Sequence, residues 1–262
     1  MHVLVTAATG TVGRLLVPLL AEQAVSVRRF DRSRPTAPQL AGVDAVFLTS
    51  PNVAEQVAYE CGLIDSAAHA GISRLVKLSA RGAAPSSPVV FWDGHARIEQ
   101  HLVDSGVEAV VLRPGFSMTN LLAQLEVVRS TGMLPLPGGE ARVAMIDPAD
   151  VAAAASVALT TPVAAGTYEL TGPAAIGFAE VAAGLTAVVG REVRYVDVPP
   201  EAAVAAMVAG GMPEPVAQQI GTVFAALRDG AQAEPTDDLA RLIGRPGGGL
   251  SRFLRRTTGL AA

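Results

Sequence analysis

The sequence predicts a doubly wound α/β fold: a parallel sheet, trimmed after its second strand, with a small C-terminal α+β cap. Three observations carry this. Strand-like and helix-like runs alternate through residues 1–160, the pattern of βαβ units. Several strand runs are apolar without interruption, as strands buried on both faces are. The chain also opens with an apolar run, Met1 to Thr6, followed directly by Ala7-Ala8-Thr9-Gly10-Thr11-Val12-Gly13 and an apolar helical run from Arg14 to Ala21.

That opening reads as a cradle for a pyrophosphate. A helix start offers unpaired N–H groups and the positive end of its dipole. Gly10 lets the backbone approach the ligand, and Gly13 lets the helix pack closely on the strand. The usual pattern has glycine where Ala7 sits; alanine there takes either a negative φ or about 1–2 kcal/mol of strain. Thr6, Ala8, Thr9, Gly10, Thr11, Val12 and Gly13 are the cofactor-binding candidates of this segment.

The predicted strands are His2–Thr6, Val25–Phe30, Ala45–Ser50, Leu75–Ser79 and Ala109–Leu112. Helices are expected over Thr11–Glu22, Ala54–Ala70, Gly94–Ser105 and Met118–Ser130, with Gly71 and Gly106 just past two of their ends. Between Phe30 and Ala45 lie fourteen residues, Pro35 and Pro38 among them. A parallel crossover takes about a dozen residues. The gap holds one crossover but not a further strand and a second helix, so Val25–Phe30 belongs at or near an edge.

The chain divides, on this reading, into a nucleotide-binding domain over residues 1–131 and a smaller cap over 132–262, with some exchange of chain. In the second part Leu134–Gly139 reads as a turn-rich loop and Arg142–Ile146 as a short strand. A helix follows over Ala149–Leu159, with Asp150 in its first turn. Tyr168–Thr171 and Val193–Val198 read as strands; Gly177–Val189, Glu201–Gly210 and Pro215–Arg228 read as helices. The tail from Asp237 to Gly259 reads as a closing helix, a proline break and a second short helix.

Composition narrows the function. Of 262 residues 50% are hydrophobic, enough for a sizeable core, and the net charge of −4 comes without any block of like charges. No basic face marks a nucleic-acid binder, and Arg252, Arg255 and Arg256 read as a solvated helix face. The single cysteine, Cys61, forms no internal disulfide and fits a cytoplasmic protein. Strand-forming residues from His2 onward leave no room for a signal peptide, and no run of about twenty apolar residues suggests a membrane span. His2, His69 and His101 lack metal-ligand spacing, so no metal is expected, and no Gly-x-Ser-x-Gly elbow suggests a serine hydrolase.

The carboxyl ends of the strands supply the remaining candidates. Thr49, Ser50 and Pro51 end one strand; Ser79 and Ala80 end the next; Pro114, Gly115 and Phe116 form the following rim loop. Ser79 either hydrogen-bonds a substrate carbonyl or cofactor amide, or caps its own turn. Arg32, just after the second strand, suits a 2′-phosphate in bidentate fashion, whereas Asp31 suits a ribose 2′-hydroxyl. NADP(H) is therefore the preferred cofactor, with NAD(H) open. Phe91, Trp92, Phe116, Met118 and Met133 line an apolar substrate pocket or pack an ordinary core.

The whole resembles the NmrA-like branch of the atypical short-chain dehydrogenase/reductase superfamily. The resemblance is carried in order by Val3–Gly13, Gly42–Pro51, Gly71–Ser79, His95-Ala-Arg-Ile-Glu99, Leu112–Asn120, Asp147–Ala152 and Tyr168–Pro173. It implies a Rossmann-type fold that binds NADPH or NADH, and that the backbone of Pro114–Phe116 faces the nicotinamide carboxamide. Many relatives reduce quinones, ketones or other conjugated carbonyls; others bind the cofactor without turnover, as sensors.

The superfamily acid is a tyrosine with a lysine four residues later. Counted from Glu99, Phe91 holds the tyrosine position and His95 the lysine position. Tyr59, Tyr168 and Tyr195 lie outside this constellation. The proton then comes from His95, Ser79, water or the substrate's own hydroxyl, and His95 has a suitable pKa class. The expected function is NAD(P)H-dependent reduction of a small-molecule quinone or ketone, such as an aromatic polyketide-type intermediate. A non-catalytic sensor and a redox-neutral enzyme are the alternatives. The chain is a monomer or, if a second subunit protects its edge strand, a homodimer.

Overall fold

Every strand expected in the first half forms within a residue or two of its sequence boundaries. The computed structural model describes residues 1–258, so the tail end expected near Gly259 lies outside the described residues. The chain runs through β1 (His2–Val5), α1 (Gly13–Glu22), β2 (Ser26–Arg29), α2 (Thr36–Leu40), β3 (Ala45–Leu48), α3 (Gln56–His69), β4 (Arg74–Leu78), α4 (Val90–Asp104) and β5 (Ala109–Pro114). A 3-10 segment over Met118–Gln124 leads into α5 (Leu125–Thr131), β6 (Met133–Leu136), β7 (Arg142–Val143), α6 (Pro148–Thr160) and β8 (Gly166–Leu170). Then come β9 (Ile176–Gly177), α7 (Phe178–Val189), β10 (Arg194–Asp197), α8 (Pro200–Ala209), α9 (Glu214–Arg228), α10 (Asp238–Ile243) and α11 (Leu250–Thr258).

Two compact units share this chain. The first comprises Met1–Pro114, Pro148–Leu170 and Asp237–Pro246; the second comprises Gly115–Asp147, Thr171–Thr236 and residues 247–258. The division is interleaved: the first break falls after Pro114, and chain is exchanged between the units. The cause is β8, which pairs in parallel with β5 from Val110↔Gly166 to Pro114↔Leu170 and so draws its segment into the first unit.

The first unit holds a parallel sheet in the order β2-β1-β3-β4-β5-β8. The fourteen-residue gap carries only the short α2, and β2 is an edge strand as that length requires. Strand order reverses between β1 and β3, and an open α/β sheet binds ligands at the carboxyl ends beside such a reversal. Right-handed crossovers then place α1 on one face and α3 and α4 on the other. The α3/α4 face buries Leu4, Val46, Leu48, Leu75 and Val111 against Leu63, Ile64, Ile98 and Leu102. Helix α6 packs beside α1, where Gln23 Nε2 donates to Ser156 Oγ at 2.8 Å.

The second unit has its own core. Phe178 packs within 6 Å of both Phe224 and Tyr195, and Phe116 meets Phe224 edge-on. Leu134–Gly139 is not wholly a loop: β6 pairs in parallel with β10, Leu134 opposite Tyr195. Pro135 is tolerated because this sheet has only two strands, both of them edges. The strand expected over Arg142–Ile146 is shorter, and Met118–Ser130 begins as a 3-10 segment. Among the described residues no helix is long and apolar enough to cross a membrane, and no group of three His, Cys, Asp or Glu could hold a metal ion.

One side chain ties the base of the first unit. The Arg74 guanidinium donates to the carbonyls of Ala158, Thr161 and Val163 at 2.9–3.0 Å and to Glu108 at 2.7 Å. It thereby satisfies carbonyls at and beyond the end of α6 that have no helical partner. Replacing it strands several acceptors. Arg74→Met is expected to cost about 2–3 kcal/mol in urea unfolding, and Arg74→Lys to recover less than half, since an ammonium cannot span the fork.

Candidate active site

The glycine turn is built around one atom, the carbonyl oxygen of Ala7. Gly10 N donates to it at 2.8 Å. A Cβ added at Gly13 would lie 2.3 Å from that oxygen, and one at Gly10 would lie 3.1 Å from it. Gly13 is therefore required by close approach, while a side chain at Gly10 would be a tight fit. Ala7 takes φ +44°, so the sequence's two options resolve to the strained one. Helix α1 has no side-chain cap, and Thr9, Gly10 and Thr11 are exposed. Arg14 N and Leu15 N donate to Gly10 O and Val12 O at 3.0 Å, so among the described residues the amides left to a ligand or solvent are those of Thr11, Val12 and Gly13, as an anion site needs. A dinucleotide pyrophosphate fits this turn.

Thr6 plays a different part from the contact expected of it. It is fully buried, and its hydroxyl donates to Thr49 O at 2.6 Å while accepting from Thr49 N at 2.8 Å. With its hydroxyl committed, Thr6 stitches the carboxyl ends of β1 and β3 together at the strand-order reversal and offers nothing to a ligand.

Beyond β2 the expected ribose residues are engaged with the protein. Asp31 accepts from Ser33 N and Oγ at 2.9 and 2.7 Å and pairs with Arg34; the Ser33 bonds hold its carboxyl below the usual range. The Arg32 guanidinium lies 3.9 Å over the Tyr59 ring. Arg28 donates to the carbonyls of Gln39 and Ala41. A hollow of about 430 Å³ beside the turn is lined by Ala8, Thr9, Arg14 and Arg29. Neither Arg14 nor Arg29 has an ion pair among the described residues. Arg29, within the expected strand Val25–Phe30, adds positive charge beside Arg32; Arg14 is not among the candidates that the sequence offers. Its signal was position alone: the first turn of α1 faces the strand that β1 pairs with. A larger hollow, about 710 Å³ against α4, β5 and β8, includes no residue of the glycine turn.

Two polar chains run under the rim on the α3/α4 face. In one, Ser50 Oγ donates to Glu60 Oε1 at 2.6 Å. Glu60 Oε2 lies 2.7 Å from Lys77 Nζ, both side chains fully buried, and has no partner beyond that contact. Lys77 Nζ lies 3.2 Å from His95 Nδ1. Burial, with Lys77 and Arg113 nearby, pushes the His95 imidazole well below its ordinary value. It is thus neutral at neutral pH, which removes the standing proton expected of a general acid. In the other chain Ser79 Oγ donates to Glu99, which also receives Arg113; Arg81 donates to Glu169 at 3.0 Å. The Ser79 proton points inward, leaving its lone pairs for a donor on a ligand.

Helix α4 starts at Val90, a turn earlier than expected, so Phe91 and Trp92 are helical. Trp92 is buried against Gly82, where a Cβ would sit 2.7 Å from its ring. Met118 and Phe116 are core residues of the second unit, and Met133 is 46% exposed on β6. The Phe116 amide donates to Gln232 Oε1 at 2.6 Å and its carbonyl accepts from Ile146 N, so neither faces a carboxamide. In the first unit Pro114 O accepts from Arg81 N. Ser50, Ala80 and Gly115 are half-buried and Pro51 is exposed. Tyr168 donates to Ala164 O, and burial and Asp197 push Tyr195 up to about 12.

Known proteins carry the same organisation. The NmrA-like family model matches residues 37–244. The NAD(P)H azoreductase of Xenophilus azovorans is 34% identical over 276 residues, covering 97% of this chain and 96% of that one. The (4-alkanoyl-5-oxo-2,5-dihydrofuran-3-yl)methyl phosphate reductase of Streptomyces griseus is 35% identical, covering 93% of each. The NADPH-dependent quinone oxidoreductase of Escherichia coli, solved with NADPH, superposes with a TM-score of 0.87 at 25% identity, covering 97% of this chain and 99% of that one.

Two outcomes are expected. Gly13→Ala should lose about 1–3 kcal/mol of stability and most NADPH binding by fluorescence titration, whereas Ala7→Gly, by relieving the positive φ, should be neutral or stabilising. The second concerns pH. A histidine whose folded pKa lies below its unfolded value adds stability that is whole above about 6.5 and is lost as pH falls, because the unfolded chain binds the proton first. Urea midpoints at about pH 7.5 and 5.5 should differ in the wild type, and the difference should shrink in His95→Gln.

Proposed function

The chain belongs to the NmrA-like family, and from that premise we propose that it reduces quinones and related planar conjugated carbonyl compounds, aromatic polyketide-type ketones among them. It is an NAD(P)H-dependent oxidoreductase. The observation that carries this reading is the turn pivoting on Ala7 O, where Gly13 leaves room for nothing but backbone and the amides of Thr11, Val12 and Gly13 carry no backbone bond among the described residues. The cofactor, when bound there, supplies hydride from its nicotinamide.

The residues of the chain bind, orient and hold protons in place. The amides of Thr11, Val12 and Gly13, at and just before the start of α1, take the pyrophosphate. Ser79, with its proton given to Glu99, accepts a hydrogen bond from a ribose hydroxyl or carboxamide. His95, neutral, donates one. No tyrosine or lysine side chain is proposed as the acid, because a planar substrate that gains a hydride and then re-aromatises or tautomerises can take its proton from water. The measurement that tests this is steady-state oxidation of NADPH against a panel of quinones and aromatic ketones. Tight binding with no turnover of any of them would instead mark a dinucleotide sensor.

Arg14 and Arg29 support a preference for NADPH, since their hollow adjoins Thr9 and among the described residues neither has an ion pair with a carboxylate. Arg29→Ala and Arg14→Ala should each raise KM for NADPH about 10- to 100-fold, the worth of a charge-assisted hydrogen bond, and leave KM for NADH within about threefold. Arg32→Ala, which removes a guanidinium already stacked on Tyr59, should change the ratio less.

A further inference from the structure

We propose that Lys77 is a positioning residue: it fixes the His95 ring as the Nε2–H tautomer, making the imidazole a permanent hydrogen-bond donor in place of an acid. The argument begins with the strand. β4 reads Arg74-Leu75-Val76-Lys77-Leu78, and alternation sends Lys77 to the same face as Leu75, under α3 and α4. No water reaches it there. A buried ammonium costs several kcal/mol unless its protons all find acceptors.

Nζ has three neighbours: it donates to Leu78 O at 2.5 Å, forms an ion pair with Glu60 Oε2 at 2.7 Å, and lies within hydrogen-bond reach of His95 Nδ1 at 3.2 Å. An ammonium has three donors and no lone pair. Each neighbour must therefore present a lone pair, so Nδ1 carries no proton and the neutral ring keeps its proton on Nε2. Protonating the ring would set N–H against N–H across that contact and place a second cation beside the first.

The charged groups around the ring act in the same sense. Lys77 faces it from β4 and Arg113 from β5; Glu60 on α3 is occupied by Lys77, and Glu99 on α4 by Arg113 and Ser79. Glu60 is itself held by Ser50 and by Gln56 Nε2 at 3.3 Å, so the rim at β3 is linked to the ring through Lys77. Only a neutral lysine could reverse the tautomer, and it would leave the Glu60 carboxylate buried without a counter-charge. What the Nε2–H donates to rests on the reductase reading; the tautomer does not.

The test uses the full chain labelled with 15N-histidine. Long-range 1H–15N spectra, with His95 assigned against His95→Gln, should show a single neutral Nε2–H ring from about pH 8 down to about pH 5.5, below where a free imidazole titrates. An Nδ1–H ring, a mixture of tautomers or an ordinary titration would overturn the proposal. In Lys77→Met, and in Lys77→Met/Glu60→Gln, which strands no carboxylate, the ring should mix tautomers and titrate nearer its ordinary value. An unchanged ring in the folded double variant would sink it. If a substrate is turned over, kcat should be flat from about pH 6 to 8; His95→Phe should lose about tenfold in kcat/KM, and His95→Gln, which keeps a donor, should regain most of it. A kcat that falls as the imidazole loses its proton would restore the acid role and reject the inference. Absence of all turnover would reject the reductase reading alone, because the spectra still decide the tautomer.

Discussion

The position of a single oxygen, that of the Ala7 carbonyl, governs how the glycine turn is built. It accepts the Gly10 amide and lies where any side chain at Gly13 would have to stand. Helix α1 can start directly over the end of β1 only because Gly13 lacks a Cβ. That closeness leaves the amides of Thr11, Val12 and Gly13 beside the crevice opened by the reversal of strand order. The positive φ of Ala7 is the conformational cost of the arrangement, and strain of this kind persists where surrounding packing fixes it.

A second constraint lies beneath the rim. The α3/α4 face of the sheet buries charges that an apolar core would exclude, and they come in chains that begin at rim hydroxyls. Ser50 leads to Glu60 and Lys77; Ser79 leads to Glu99 and Arg113. Each serine sends its proton inward to a carboxylate and turns lone pairs outward. Buried networks of this sort are rigid when their members are paired. The result is a rim with fixed donors and acceptors and no group poised to give up a proton, which suits a protein whose hydride chemistry belongs to its cofactor.

Much of the fold was legible because chain length and periodicity are hard bounds. Fourteen residues between two strands cannot hold a further strand, so the edge position of β2 followed from counting. Continuous apolar runs marked the parallel strands. The interleaving of the two units was less legible, since β8 joins β5 from more than fifty residues away and nothing local announces its partner. Leu134–Gly139 has the composition of a loop, with Pro135, Pro137, Gly138 and Gly139, and the pairing partner of β6 lies far along the chain.

The sequence alone determined the succession of the first five strands, the missing strand and the glycine turn, because each depends on distances along the backbone. Only the tertiary structure decided what the candidate side chains can do. Arg32 is drawn onto Tyr59, and the Phe116 amide goes to Gln232, 116 residues away. His95 is neutral because burial and Lys77 make it so. Lys77 itself stands in plain view inside an apolar strand, the one signal a reader of the sequence could have followed to this network. Protonation and hydrogen-bond commitment are set by solvent exclusion and by neighbours from other elements, and neither is written in the spacing of residues.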